Sequence, residues 1–183
     1  DKAETFGEIL ARQAAEQGDA VALRFEGRLT DYATLDRHAS AIANALAAAS
    51  LRVGDRIAYL GKNSDLVVEL TIGAARAGVV LVPIDPRTRG DKLVYMLAAA
   101  GCKGVVTADY ALPEVLNIRA QVAGLRWVVG LPTDEAKSTD AQLRAAQVIP
   151  FAELAGAEPA QARLDGCSPD DALELIYTSG TTG

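Results

Sequence analysis

Short apolar runs alternate with helix-length segments through the middle of this chain, and this alternation limits the folds that it can adopt. Four runs have the length and apolar density of buried strands: RIAYLG (56–61), VVLVPI (79–84), GVVTA (104–108) and RWVVGL (126–131). Helices are predicted between them, over residues 65–78, 91–100 and 113–123. Strands joined by helices of this length favour βαβ crossovers, in which the strands run parallel. The sequence therefore predicts an α/β fold, a mostly parallel sheet with helices on both faces.

The N-terminal part is predicted to contain a hairpin followed by an amphipathic helix. In AVALRFEGRLTDY (residues 20–32), β-prone stretches flank Glu26 and Gly27, which are typical of a turn. Asp31 is placed to cap the following helix, because its carboxylate can accept N–H groups of the first turn. Four apolar residues recur on one face of that helix: Leu35, Ala39, Ile42 and Leu46. This stripe predicts a helix that packs against the core.

Further segments complete the secondary-structure prediction. Ser64 introduces and Gly78 closes an apolar helix, which is expected to be buried. The polar stretches 132–147 and 155–171 are predicted to be loops, the first with one helical turn. Residues 172–177, ALELIY, are predicted to form a strand inside the sheet. We expect the residues that follow, 179–183, to be mobile when nothing is bound to them.

Charge and hydropathy exclude several classes of function. The chain has 183 residues, with 18 Lys and Arg against 24 Asp and Glu and a net charge of −6. It lacks the positive charge with which proteins neutralise nucleic-acid phosphates, so no nucleic-acid partner is expected. Glu69 and Arg76 interrupt the longest apolar candidate, residues 67–84, so no transmembrane segment is predicted. The N-terminal residues show no signal-peptide pattern, which favours a cytoplasmic location. Cys102 and Cys167 are too far apart in sequence to indicate a disulfide framework or a zinc site.

The end of the chain combines hydroxyl groups and glycines in a way that suits phosphate binding. Its residues are Thr178, Ser179, Gly180, Thr181, Thr182 and Gly183. Glycines let backbone N–H groups approach an anion, and hydroxyls donate to phosphate oxygens or ligate Mg²⁺ held on them. A polar turn without a ligand is the alternative interpretation of the same composition. A Walker loop is excluded because Arg56 stands where it needs glycine, and no G-x-G-x-x-G is present.

Three stretches together resemble the adenylate-forming superfamily of acyl-CoA synthetases, luciferases and peptide-synthetase adenylation domains. LIYTSGTTG (residues 175–183) is similar to the signature loop of that superfamily. AARAGVVLVPIDP (74–86) resembles its second core motif. YATLDRHASAIANAL (32–46) resembles the first, with Asp31 in place of the usual Thr or Ser and Thr34 in place of Glu. The three occur in the order of the family, and the resemblance covers nearly the whole chain.

The resemblance implies an AMP-forming acid:CoA ligase. Such an enzyme forms acyl-AMP with release of pyrophosphate and then transfers the acyl group, here expected to be a fatty acid, to coenzyme A. ATP, Mg²⁺ and CoA are the implied cofactors, and a carboxylic acid is the substrate. The six residues of the closing loop would bind ATP and pyrophosphate, with Thr178 also contacting the metal; no catalytic residue is assigned. The alternatives are a peptide-synthetase adenylation domain that loads a carrier protein and a non-catalytic interaction domain derived from the family. A homo-oligomer is left open.

The same resemblance implies that residues 1–183 are the first part of a large N-terminal domain. The signature lysine of the family, its adenine- and ribose-binding motifs, its acyl pocket and its small C-terminal domain would all follow Gly183. The chain by itself is therefore expected to be inactive.

Four other residues invite functional interpretations. His38 is the only histidine and has no evident partner in the sequence, so a packing role is favoured over catalysis. Trp127 is expected to lie in the core. Arg87 and Arg89 follow the strand that ends in PIDP, and they are expected to be solvated. Binding of an anion such as a CoA phosphate is the alternative for these two arginines.

Overall fold

The computed structural model describes residues 3–156 and 167–178. The helices are α1 (Phe6–Gln17), α2 (Tyr32–Ala48), α3 (Asp65–Arg76), α4 (Gly90–Ala99), α5 (Leu112–Ile118), α6 (Asp140–Ala145) and α7 (Phe151–Ala155), with a 3₁₀ turn at Arg119–Gln121. The strands are β1 (Val21–Phe25), β2 (Arg28–Asp31), β3 (Arg56–Leu60), β4 (Val80–Ile84), β5 (Cys102–Ala108), β6 (Trp127–Leu131) and β7 (Ile149–Pro150). Within these two ranges, every helix is too short or too polar to cross a bilayer.

Five strands form one parallel sheet in the order β4-β3-β5-β6-β7. Strand β3 pairs with β4 along its whole length, from Arg56 opposite Val80 to Leu60 opposite Ile84. On its other side, β3 pairs with β5. A helix connects each strand to the next one in sequence, as βαβ crossovers require. The predicted α/β fold with a parallel sheet is confirmed.

Side chains of the sheet alternate between two buried clusters, one on each face. In β3, Ile57 and Tyr59 belong to the cluster that also contains residues of α2, α3 and α7. Ala58 and Leu60 belong to the opposite cluster, with residues of α4, α5 and α6. All four side chains are buried. Because the strand is covered on both faces, its sequence is continuously apolar and does not alternate with polar residues.

The N-terminal hairpin and helix form as predicted. Strands β1 and β2 pair antiparallel, and the turn between them contains Glu26 and Gly27, both with positive φ (46° and 81°). Such φ values favour glycine and are those that a tight hairpin turn requires. The Asp31 carboxylate accepts the N–H of Thr34 at 2.7 Å and caps α2. The four apolar residues of the predicted stripe on α2 are all buried.

Helices α2 and α3 pack closely because a glycine lies at their contact. A Cβ atom at Gly73 would stand 2.6 Å from Cγ2 of Ile42, so a larger residue would push the helices apart. At the same interface, Nδ1 of His38 lies 2.9 Å from Oε1 of Glu69, whose carboxylate is buried. This contact across the α2–α3 interface agrees with a structural role for His38, and the sequence did not indicate its partner. Helix α3 ends at Arg76, and Gly78 follows its C-cap Ala77 with a φ of 64°, the terminating role predicted for this glycine.

The segment after β6 agrees with the prediction in part. Residues 132–147 contain only the six-residue helix α6 as regular structure, and Thr139 caps it by accepting the N–H of Gln142. Strand β7 and helix α7 were not predicted, because two and five residues are too few to show a hydrophobic period. Phe151 and Leu154 of α7 are nevertheless buried in the cluster on the α2 face. Most of the second predicted loop, residues 157–166, lies outside the described residues.

The prediction of a strand inside the sheet at residues 172–177 is wrong. This segment lies at the edge of the sheet, where a single parallel bridge joins Glu174 to Leu81 of β4. The N–H of Leu81 donates to the Leu173 carbonyl at 3.1 Å, and the N–H of Leu175 donates to the Leu81 carbonyl at 2.9 Å. Ile176 is 65% exposed. The apolar sequence suggested burial, but β3 already occupies the inner edge of β4 and leaves this segment only the outer one.

Burial of Cys102 generates a prediction about thiol reactivity. Loss of hydration raises the pKa of the Cys102 thiol to about 11, so roughly one molecule in a thousand carries the thiolate at pH 8. Cys167 is only half-buried. We expect a disulfide-exchange reagent at pH 8 to modify one thiol of the folded chain rapidly and the second only after denaturant is added.

The Cys167→Ser variant provides the control for this measurement. It should consume almost no reagent while folded, because only the buried thiol remains. Rapid reaction of the folded Cys167→Ser variant would show that Cys102 is not shielded by the sheet.

Candidate functional site

The carboxyl-terminal ends of β3, β4 and β5 open into a cleft of about 700 Å³. After β3 the chain crosses to β4 through α3, which packs on one face of the sheet. After β5 it crosses in the opposite direction to β6 through α5, which packs on the other face. Loops that leave adjacent strands in opposite directions create a crevice between them, where open α/β sheets bind ligands. The polar residues that line the cleft are Tyr59, Lys62, Asn63, Asp85, Arg87, Arg89, Tyr110 and Glu135. This edge of the sheet is therefore the candidate site.

Lys62 is fixed through its backbone by two tyrosines. The Tyr59 hydroxyl donates to the Lys62 carbonyl at 2.9 Å, and the Lys62 N–H donates to the Tyr110 hydroxyl oxygen at 2.8 Å. The ammonium group lies 5.4 Å from the centre of the Tyr110 ring, within the range of a cation–π interaction. It also forms an ion pair with Glu135, which raises the pKa of Lys62. Lys62 is thus a charged side chain held at the cleft.

The two arginines of the cleft are also paired with carboxylates. Arg87 makes a bidentate ion pair with Asp85, through Nε at 3.0 Å and a terminal nitrogen at 2.6 Å. This pairing lowers the pKa of Asp85 to about 2. Arg89 donates to the Pro86 carbonyl at 2.6 Å and lies 3.9 Å from the Glu114 carboxylate. The arginines are 87% and 51% exposed, so they are solvated as expected, but each also has an acidic neighbour.

Asp109 organises the loop that forms one side of the cleft. It follows β5 and is buried. Its carboxylate accepts the N–H of Thr133 at 3.1 Å, the Thr133 hydroxyl at 2.5 Å and the N–H of Ser138 at 3.0 Å. Burial alone would raise the pKa of Asp109, but these hydrogen bonds outweigh it and lower the pKa. One buried carboxylate therefore holds both ends of the segment that contains Glu135.

The predicted phosphate loop begins next to this cleft. Ile176 lines the cleft, and the Tyr177 hydroxyl donates to the Met96 carbonyl at 2.8 Å. Thr178, the predicted ATP and Mg²⁺ ligand, is exposed. Its hydroxyl oxygen is a donor atom that suits a hard cation such as Mg²⁺. In the described part of the chain, the carboxylate, imidazole and thiol groups form no cluster of three or more that could hold a metal.

The rest of the predicted loop was expected both to bind ATP and to be mobile. These residues, Ser179, Gly180, Thr181, Thr182 and Gly183, lie outside the described residues. Both predictions therefore stay predictions. Since residues 173–175 run parallel to β4, the chain does reach Thr178 in the direction of the strand ends that form the cleft.

The structure brings together residues that the sequence did not identify as a site. Lys62, Asp109, Tyr110 and Glu135 were not predicted, whereas Arg87 and Arg89 were noted as a possible anion contact. A usable signal existed for three of the four. Lys62, Asp109 and Tyr110 stand directly after predicted parallel strands, and the carboxyl ends of such strands share one edge of the sheet. Nothing local in the sequence connects Glu135 with Lys62, 73 residues away.

Comparison with known proteins supports one family. The family model described as "AMP-binding enzyme" matches residues 10–183. A fatty acid–[acyl-carrier-protein] ligase, ScoC of Streptomyces coeruleorubidus, is 31% identical over 98% of this chain and 31% of its own length. A feruloyl-CoA synthase of Amycolatopsis sp is 32% identical over 97% of this chain and 31% of its own length.

A solved structure agrees with these sequence matches. The structure of a Mycobacterium tuberculosis fatty acyl CoA synthetase superimposes with a TM-score of 0.77 and 27% identity, over 96% of this chain and 32% of that one. The chain thus spans about a third of the length of the proteins that it matches.

The Asp85–Arg87 pair generates a prediction about pH. Because the folded-state pKa of Asp85 is lowered to about 2, its carboxylate should stay ionised until the pH falls well below 3.8. The pair therefore stabilises the fold above about pH 4 and loses this contribution as the pH falls towards 2, although exposure keeps the contribution small. In the Arg87→Gln variant we expect the Asp85 pKa to rise towards 3.8, as measured by NMR titration of the carboxyl carbon.

The control is Arg144→Gln, which removes an arginine paired with Glu153 and leaves the cleft intact. It should not change the titration of Asp85. If Arg87→Gln also leaves that titration unchanged, the ion pair is not formed in solution.

Proposed function

This chain belongs to the AMP-binding enzyme family, and on that premise we propose that the protein containing it activates a carboxylic acid with ATP and transfers the acyl group to CoA. In the first step a carboxylate oxygen attacks the α-phosphorus of ATP, and the bond to pyrophosphate breaks. In the second step the thiol of CoA loses its proton, its sulfur attacks the acyl carbonyl, and AMP leaves. Residues 1–183 are then part of the large N-terminal domain of this enzyme.

The loop sequence YTSGTTG at residues 177–183 is the observation that carries this proposal. Negative charge builds on pyrophosphate as it leaves, and hydrogen-bond donors fixed around its oxygens lower the barrier. Hydroxyl groups and the backbone N–H groups of a glycine-rich loop are suitable donors. The hydrogen bonds of residues 173–175 to β4 support a position for this loop beside the cleft.

The loop residues have different roles in this proposal. Four supply hydroxyl donors to the β- and γ-phosphates: Thr178, Ser179, Thr181 and Thr182. Gly180 and Gly183 allow the backbone to approach these phosphates. Mg²⁺, when bound to the nucleotide, would neutralise part of the phosphate charge, and Thr178 is the residue that we assign to its contact with this loop.

The names of the relatives support a proposal for the acid and for the acceptor, although these names differ from one another. A fatty acid is named for ScoC and for the mycobacterial synthetase, whereas ferulic acid is implied by the name of the third relative. We therefore favour a fatty acid as the substrate. CoA is named for two of the three and an acyl carrier protein for one, so transfer to a carrier protein is the second candidate function. Supplying acyl-AMP with either CoA or phosphopantetheinylated carrier protein, and measuring thioester formation, distinguishes the two acceptors.

We also propose a cytoplasmic location. The 183 residues contain two cysteines, and Cys102 is buried as a thiol, which is typical of proteins in reducing compartments. A reducing compartment also suits an enzyme whose second substrate, CoA, is itself a thiol.

Replacing Thr181 and Thr182 together by Ala tests the proposed role of the loop in the complete enzyme. The double variant should slow acyl-adenylate formation by about 3–6 kcal/mol, or roughly 10²- to 10⁴-fold, if each hydroxyl acts like an oxyanion-hole donor. Thioester formation from supplied acyl-AMP should change much less, because pyrophosphate has left before that step. Single-turnover kinetics of the two half-reactions provide the measurement.

Thr30→Ala, on the β1–β2 hairpin, is the matched control and should leave both half-reactions unchanged. Equal slowing of both half-reactions in the loop variant would indicate a general folding defect. It would remove the support for a pyrophosphate-binding loop.

The 183-residue chain by itself should not catalyse ATP–pyrophosphate exchange. The family resemblance places the signature lysine and the adenine-binding motifs after residue 183, so the chain alone has an incomplete nucleotide site. Radioactive pyrophosphate, ATP and a panel of fatty, aryl and short-chain acids provide the assay. Exchange above background that disappears in the Thr181→Ala variant would show that the active site is complete within these residues.

A further inference from the structure

The wall of the cleft that holds Lys62 is a continuous chain of polar contacts. The Thr133 hydroxyl donates to the Asp109 carboxylate at 2.5 Å and accepts the N–H of Glu135 at 3.3 Å. The Glu135 carboxylate then pairs with the Lys62 ammonium. Tyr110, the residue after Asp109, accepts the Lys62 N–H. The position of Glu135, and with it the neutralisation of Lys62, therefore depends on a buried carboxylate behind the cleft wall.

The two ends of this chain of contacts differ in strength. Asp109 is 4% exposed and accepts three hydrogen bonds, so disturbing it leaves buried polar groups without partners. The side chains of Lys62 and Glu135 are 67% and 50% exposed. Exposed ion pairs contribute little free energy and are weakened by salt. Asp109 thus fixes the backbone around Glu135 firmly, whereas the ion pair between Glu135 and Lys62 is weak. An incoming anion can therefore replace the Glu135 carboxylate beside Lys62.

We propose that Lys62 binds a phosphate group in the cleft, with Glu135 as its resident competitor and Asp109 as the positioning residue that holds Glu135 in place. Arg87 and Arg89 face the same cleft and can share the phosphate charge. The Asp85 partner of Arg87 is exposed like Glu135, whereas Glu114 lies 3.9 Å from Arg89 and accepts the N–H of Gly90, so it leaves Arg89 available without having to move. ATP and CoA both carry such phosphate groups, and naming them as ligands rests on the proposed function. The exchange at Lys62 is a property of this chain and does not rest on it.

Removal of the competitor tests the exchange directly. The ¹⁵N-labelled 183-residue chain is titrated with inorganic pyrophosphate at low salt, and binding is followed at the backbone amide of Lys62. Glu135→Gln should bind about threefold more tightly than the wild type, and Lys62→Gln about threefold or more weakly. Glu153→Gln is the matched control, because Glu153 is also 50% exposed and paired, with Arg144 outside the cleft. Its affinity should stay within about 1.5-fold of the wild type.

Two outcomes would overturn the proposal. Equal tightening in Glu135→Gln and Glu153→Gln would attribute the effect to net charge and not to release of Lys62. Pyrophosphate-induced shifts at Thr178 without shifts at Lys62 would place the anion at the loop and leave Lys62 without a binding role.

The role of Asp109 is tested with variants that separate hydrogen bonding from charge. Asp109→Asn keeps an oxygen that can accept the N–H groups of Thr133 and Ser138, so its affinity should stay near that of the wild type. Asp109→Ala and Thr133→Val should both tighten binding about as much as Glu135→Gln, because Glu135 is no longer held beside Lys62. Thr133→Val keeps the test decisive if Asp109→Ala fails to fold. Unchanged affinity in Thr133→Val, or equal effects of Asn and Ala at position 109, would exclude the positioning role.

The source of the phosphate is decided by repeating the titration with ATP and with CoA. We expect at least one of them to shift Lys62 and to bind more tightly to Glu135→Gln. A response to pyrophosphate but to neither nucleotide would remove the nucleotide from the proposal while the exchange at Lys62 stands. Conversely, loss of adenylation in the loop variants together with unchanged pyrophosphate binding in Lys62→Gln would sustain the proposed function and overturn this inference.

Discussion

Burial of β3 on both faces is the constraint on which the rest of the structure depends. Ile57 and Tyr59 need apolar cover on one side and Ala58 and Leu60 on the other, so helices must lie on both faces. Crossover connections through helices keep the strands parallel, and parallel strands bring all their carboxyl ends to one edge. The cleft exists at that edge because the connections after β3 and β5 diverge. The burial of apolar side chains thus determines at which edge of the sheet the polar cleft lies.

The charged side chains of the cleft are mostly exposed to solvent, and this exposure determines how strongly they are paired. Lys62 and Arg87 are paired with exposed carboxylates, which stabilise the fold little, and Arg89 lies 3.9 Å from the less exposed Glu114. Such pairs limit the repulsion among three cations in one cleft while leaving them available to a stronger anion. Asp109 differs because it is buried, and its hydrogen bonds fix a loop of otherwise irregular structure. The arrangement combines a rigid support with exchangeable charges, which is what binding and release of a phosphate group require.

The segment before the predicted phosphate loop shows how an edge position serves a binding loop. Two hydrogen bonds with Leu81 hold this segment against β4, and one from the Tyr177 hydroxyl to the Met96 carbonyl holds it against α4. Its outward side chains remain accessible, with Ile176 at 65% exposure beside the cleft. Few contacts therefore tether the chain just before Thr178, and those that exist lead it towards the strand ends. The pairing of this segment with the sheet thus depends on one residue of β4, Leu81.

The sequence by itself determined the elements whose hydrophobic period extends over several residues, and it supplied the hydroxyl groups and glycines of residues 178–183. The α2 stripe, the apolar run of β4 and the Glu26-Gly27 turn were predictable because each pattern is local. Only the tertiary structure decided that residues 172–177 lie at an edge, since exposure depends on which strands occupy the neighbouring positions. It alone paired Lys62 with Glu135, 73 residues apart, and Asp109 with Thr133, 24 residues apart. A local sequence pattern indicates which side chains are buried, whereas the partners of polar groups depend on which distant residues the fold brings together.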